Sequence, residues 1–147
     1  MKILISLFLL LCCVCCAYAG QTSVTVSSLI LNESEYYDIE VFMDSSNRVL
    51  IPVKQTSKLL EIPLTINHSS KEVVFSTYSG AEVLISKAGV FMNGVKILSS
   101  PIFQKECILG SDEYFVDKTT ASTIFESEVD VDPNSLNVMV ENKHLIT

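Results

Sequence analysis

Two histidines, one cysteine beyond residue 16 and 17 acidic side chains are the groups in this 147-residue chain with chemistry to offer. A serine or cysteine nucleophile needs a base beside it, and only His68 and His144 have ordinary pKa values near neutrality. His68 stands in the polar turn Asn67-His68-Ser69 and His144 in the tail 142–147, which reads as a frayed end, so both are expected as surface residues. No Gly-X-Ser-X-Gly elbow occurs, and the five glycines are too scattered for a phosphate-cradling loop. Cys107, within Glu106-Cys107-Ile108-Leu109, is expected on a strand, buried and inert; the alternative for a lone thiol is pairing with another chain.

The carboxylates get the same test. Asp130-Val131-Asp132-Pro133-Asn134 sets two acids on one face of a strand before a turn, a possible source of oxygen ligands for Ca²⁺. The loop glycine and terminal glutamate of an EF-hand are missing, and strand alternation followed by a Pro-Asn turn accounts for the same residues without a metal. Glu33, Glu35, Asp38 and Glu40 read as solvated surface. No catalytic, cofactor-binding or metal-binding residue is therefore assigned, and neither enzyme activity nor a cofactor is expected. Copper oxidation in particular requires several histidine ligands, more than His68 and His144 supply.

Compartment follows from the first residues. Lys2 precedes a mostly apolar run from Ile3, and Ala17-Tyr18-Ala19 before Gly20 has the small-residue pattern of a signal-peptide cleavage site, so residues 1–19 read as a secretory signal. The alternative, an uncleaved anchor, needs a run of ~20 apolar residues, and this one is shorter. Cys12, Cys13, Cys15 and Cys16 lie inside the signal and none follows a small residue, so a lipid anchor is not expected. The product is expected in the periplasm or the medium. Asn32-Glu33-Ser34 and Asn67-His68-Ser69 are glycosylation sequences that would matter only in a glycosylating host, against which the bacterial look of the signal argues.

Cleavage removes one of 10 basic residues and none of the 17 acidic ones, leaving 9 against 17 and a formal charge of −8. Lacking any basic cluster, such a chain is a poor partner for nucleic acid. The remaining stretch is one domain's worth of chain.

Short β-branched and aromatic runs separated by turn residues predict strands over 23–31, 38–43, 48–53, 64–67, 72–77, 81–86, 90–92, 113–116, 128–132 and 136–141. Turn chemistry lies between them, at Ser79-Gly80, Asn93-Gly94 and Asp132-Pro133-Asn134-Ser135 among others. Helical spacing breaks in twice. Thr56, Leu59 and Leu60 share a face within 54–61, and Ala121, Ile124 and Phe125 within 117–126, with Asp117 as N-cap. Helices of two turns melt alone, so each must lie on a sheet. The predicted fold is α+β, built from antiparallel strands and two short helices.

Sliding the chain by 65 residues lays 47–76 over 112–141, with Leu50 on Phe115, Leu60 on Phe125, Leu64 on Val129 and Val73 on Val138. Val41-Phe42-Met43-Asp44 is echoed by Val90-Phe91-Met92-Asn93. A duplicated strand, helix and hairpin unit is expected. With Arg48-Val49-Leu50-Ile51-Pro52-Val53, Leu59-Leu60-Glu61-Ile62 and Val73-Val74-Phe75 in one unit, and Tyr114-Phe115-Val116-Asp117, Ile124-Phe125-Glu126 and Val138-Met139-Val140 in the other, residues 38–141 resemble the copper amine oxidase N-terminal-like domain, a stalk module of exported bacterial proteins. Glu61 and Glu126 stand where that family usually turns with Gly, and Asp117 where the first unit has Pro. The layout also looks like the start of pilus usher-type outer-membrane assembly proteins. The division expected is a signal over 1–19, a leading strand or linker over 20–37, the domain over 38–141 with units about 38–77 and 88–141, and a tail over 142–147.

The expected function is that of a noncatalytic exported domain that binds an envelope protein or cell-wall polymer through a sheet edge or the surface the helices leave free, because short strands that do not close into a barrel leave unpaired amides. Contact with a membrane is expected only through an uncleaved signal. Two other readings stand beside it: a component of a pilus usher-type assembly system, and a carboxylate-based hydrolase of cell-wall material.

Overall fold

The structure, a computed structural model, describes residues 23–109 and 112–145; the expected signal at 1–19 lies outside them. The chain opens with β1 (Ser23–Leu31) and β2 (Glu35–Met43), an antiparallel hairpin turned by Asn32 and Glu33 at positive φ of 49° and 66°. Next come β3 (Val49–Pro52) and helix α1 (Val53–Leu59), then β4 (Thr65–Asn67), β5 (Glu72–Ser76), β6 (Glu82–Ser86), β7 (Gly89–Met92) and β8 (Val95–Leu98). The chain finishes with β9 (Ile102–Gln104), β10 (Glu113–Val116), helix α2 (Lys118–Phe125), β11 (Glu128–Val131), β12 (Val138–Glu141) and a 3-10 turn, Lys143–Leu145.

These strands form two sheets. Seven run in the order β11-β12-β1-β2-β3-β10-β9, and five in the order β4-β5-β6-β7-β8. The class is the expected α+β, with one departure from the expected antiparallel pairing: β1 and β12 are parallel, Leu29 beside Val138. Alternation tells which face a residue occupies but says nothing of the direction of a strand joined from 109 residues away. Strand β1, ahead of the 38–141 unit, is thereby paired on both sides.

The main core lies between the sheets and under the helices. Leu29, Ile39, Val41, Ile51, Tyr114 and Val116 point into it from the large sheet, and Val73, Phe75, Val83 and Ile85 from the small one. Phe75 stacks on Phe125 of α2 with ring centroids 5.8 Å apart, tying helix to small sheet. The apolar faces assigned to the helices are the ones used: Thr56 and Leu60 are buried and Leu59 half-buried, and Ala121, Ile124 and Phe125 are buried. Burying a side chain of that size contributes about 2 kcal/mol each, which is how helices of two turns persist.

Strands β8 and β9 were not among those expected. Asn93 and Gly94 have φ of 48° and 81°, the primed hairpin turn that joins β7 to β8 and matches strand twist. That turn was legible, but Val95 and Lys96 are both exposed, so β8 lacks the alternating burial that marks a strand. Gly89 is obligatory: at φ 149° a Cβ would stand 2.6 Å from the Leu98 carbonyl oxygen.

Candidate functional site

Side chains alternate along a strand, so the large sheet has a second face, turned away from the main core. Phe42, Leu50 and Phe115 are buried there, with Phe42 and Phe115 rings 5.6 Å apart, and Val24, Ile102 and Cys107 pack around them. Neither helix nor the small sheet contributes to this second cluster. Register then extends the same face: Val24 lies opposite Phe42, Val26 opposite Glu40, Ser28 opposite Asp38, and Ile30 opposite both Tyr36 and Met139.

Glu40 corrects an expectation. Read as solvated with Glu33, Glu35 and Asp38, it is fully buried, because it shares a face with Phe42 and the loop after β9 folds over it. Its carboxylate accepts the amide of Ile108 at 2.7 Å and that of Leu109, pinning the loop. Glu33, Glu35 and Asp38 are exposed, as expected. Nearby, Glu113 is also buried and accepts the amides of Lys54 at 2.8 Å, Gln55 at 3.1 Å and Tyr114 at 2.9 Å. Burial pushes its carboxyl up to about 7, the amides from Lys54, Gln55 and Tyr114 pulling the other way. Lys54 and Lys71 both pair with Asp112, and the Lys54 hydrogen bond holds that carboxyl below the usual range.

Cys107 is likewise not where its neighbours in sequence place it. It lies in the loop after β9 rather than on a strand, and is half-buried rather than buried. Partial burial, then the carboxylates of Glu40 and Glu113, push the thiol up to about 11, so it is protonated and weakly nucleophilic near neutral pH. The histidines are elsewhere. His68 is exposed in the turn joining β4 to β5. His144 is exposed but not frayed: its ring lies on that of Tyr78, centroids 3.9 Å apart. The tail is held by Asn142, fully buried, whose amide nitrogen donates to Ser127 Oγ at 2.8 Å and whose Oδ1 accepts the His144 amide at 2.9 Å. Asn32 Nδ2, the atom a glycan would modify, donates to the Asn142 carbonyl at 3.1 Å.

Asp130 and Asp132 are committed to the chain. Asp130 accepts its neighbour's amide, Val131 N, at 2.8 Å and pairs with Lys118 at 3.2 Å; Asp132 accepts the amides of Asn134 and Ser135 in the turn. Those bonds lower both carboxyls. No group of three or more His, Cys, Asp and Glu side chains among the described residues is set to hold a metal ion. Two amides on the free edge of β11 are also occupied: Val129 N donates to Ser122 Oγ and Val131 N to Asp130.

Five recesses open among the described residues, one of about 570 Å³ beside Glu35, Tyr37 and Glu61 having neither histidine nor cysteine in its walls. A groove of about 380 Å³ beside Arg48, Asp117 and Leu136, and one of about 550 Å³ beside Lys118, Glu128 and Glu141, have neither histidine nor cysteine in their walls. One of about 290 Å³ has His144 with Ser122, Ser127 and three glutamates. There Ser127 Oγ donates to the Phe125 carbonyl and Ser122 Oγ accepts from Val129, and neither hydroxyl is hydrogen-bonded to the imidazole. The carboxylates at Glu40 and Glu113 and the cation of Lys54 build a clasp that fixes one loop and one helix start. Glu113 was missed in the sequence; its alternation with Phe115 was the signal that it faces inward. No protein-family model matches the chain, and neither a curated protein nor a solved structure matches it.

Proposed function

We propose that the chain is an exported, noncatalytic binding domain that presents the face of its large sheet turned away from the main core to a protein or envelope polymer. The observation that carries this is the row of apolar side chains on that face: Val26, Tyr36 and Met139 are exposed and Ile30 half-buried, although strand residues of these types ordinarily pack against something. The face is favoured over the β11 edge because strand addition needs free amides, and the Val129 and Val131 amides are already bonded. The chemistry-bearing groups support the noncatalytic part, since the Cys107 thiol stays protonated and Glu40 and Glu113 spend their oxygens on backbone amides.

The duplicated unit, and with it the likeness to the stalk-type domain, belongs to the same proposal. It is supported by order: β3, α1, β4 and β5 are followed 65 residues later by β10, α2, β11 and β12. Left-handed residues fall at the same offset, Glu61 with Glu126 and Lys71 with Leu136. The first strands of the two units, β3 and β10, lie side by side and antiparallel. Their hairpins part company, β4-β5 joining the small sheet and β11-β12 the large one.

The test is capture from envelope extract by the protein beginning at Gly20, alongside Tyr36→Ser and Ile108→Ser variants. The expected result is a specific species retained by the parent and lost by both variants. Turnover of purified cell-wall glycan by the parent protein, or capture indifferent to both variants, overturns the reading.

A further inference from the structure

Resting on that binding face, a second reading names the chemistry of its occupant. Three rows cross it. Met139, Ile30 and Tyr36 make the first, Ser28 and Asp38 the second, and Val26 the third, beside the loop residues Ile108 and Leu109 whose amides Glu40 holds. Tyr36 is 68% and Ile108 78% exposed. Strand spacing makes this patch roughly 10 Å across the strands and 13 Å along them, the footprint of four or five extended residues.

Acidic side chains predominate on the patch, and the cation at its β11 side, Lys118, is taken up by Asp130. Asp38 stands between the two apolar rows, exposed and in no ion pair among the described residues. At the β12 side, Glu128 and Glu141 lie directly opposite each other in register. Glu141 is pushed up by its contact with Glu128 and then by Glu33. A second copy of so acidic a chain would set like charge on like charge, and an anionic polymer or lipid surface would be repelled in the same way.

We infer that the face takes a basic segment of a partner protein, with a lysine or arginine over Asp38 and apolar side chains to either side, on Tyr36, Ile30 and Met139 and on Val26, Ile108 and Leu109. The Tyr36 ring adds a π-face on which the cation's stem can lie. Much of the attraction is between exposed charges, so the complex weakens with salt.

The experiment measures binding by fluorescence anisotropy with three labelled probes of equal length, an alternating Leu-Lys peptide, a Leu-Glu peptide and a Leu-Ser peptide. The expected result is that the Leu-Lys probe binds at least about tenfold more tightly than either other, with affinity falling as salt rises. Asp38→Asn should weaken it about fivefold and flatten the salt dependence, whereas Glu82→Gln, the same loss of charge on the small sheet, should not. If all three probes bind alike and Tyr36→Ser or Ile108→Ser abolishes binding, the face is an apolar docking site and the basic partner is wrong. If no probe binds, or only Val95→Ser on the small sheet matters, both the partner and the face are wrong. Sedimentation showing self-association lost in Tyr36→Ser assigns the face to a second copy and overturns the inference.

Discussion

Helices α1 and α2 begin 65 residues apart, each straight after a strand of the large sheet, and their first amides are satisfied in opposite ways. At α2 the cap is local: Asp117 sits immediately before the helix and its Oδ1 accepts the Thr120 amide at 2.7 Å. At α1 the same position is Pro52, which has no side-chain acceptor, and the amides of Lys54 and Gln55 are taken by Glu113 from the adjacent strand β10. A local cap costs little, because the half-buried Asp117 keeps part of its carboxylate in water. A remote one must be carried into the interior, and the burial that aims Glu113 at α1 also raises its pKa. The contrast makes the start of α2 self-capped and the start of α1 dependent on β10 being in place, while both helices rest their buried faces on the sheets.

The sharpest break of that contrast is Glu113→Leu, which leaves three amides without their acceptor; urea denaturation at pH 5 should show a loss of about 4 kcal/mol. Next is pH. A carboxyl whose folded pKa is raised from 4.5 to about 7 contributes stability that is complete below 4.5 and lost as pH rises through 7. Stability should therefore fall by up to about 3 kcal/mol between pH 4.5 and 8, a slope that Glu113→Gln flattens while keeping an acceptor. Asp44, Asp112 and Glu126, whose pKa values are depressed, oppose this only at the acid end, where their contribution is lost below about pH 4. Asp117→Ala is smaller, a loss of about 1 kcal/mol that a thermal melt should show.

Smallest are the far ends of the same helices. Glu61 and Glu126 both follow their helix in the left-handed region, φ 58° and 47°. Glu61→Gly should stabilise by about 0.5 kcal/mol in the same denaturation assay. Glu126→Gly should gain less, because the Glu126 carboxylate accepts the Ser79 amide at 2.7 Å and the glycine would forfeit that bond.

How much of this was readable follows the same division between local and remote. Asp117 was legible as a cap because its partner is three residues away, and Asn93-Gly94 as a turn because its dihedrals are a property of two residues. Glu40 was not, since its partners are 68 and 69 residues ahead in a loop that reads like a strand. Cys107 was misplaced for the converse reason: its neighbours Ile108 and Leu109 have strand-forming composition, yet they are exposed above Glu40. His144 was read as frayed because nothing near it in sequence announces Tyr78 or the buried Asn142.

By itself, then, the order of residues settled the strands with alternating burial and both helices with their buried faces, which are properties of short windows. Only the folded chain decided that β1 and β12 run parallel, that Glu40 and Glu113 are interior, and that the Phe42, Leu50 and Phe115 cluster on the outer face of the large sheet takes in neither helix nor small-sheet residues. Period-two alternation records which side a residue takes but not which strand lies beside it, and burial of a carboxylate is set by that neighbour.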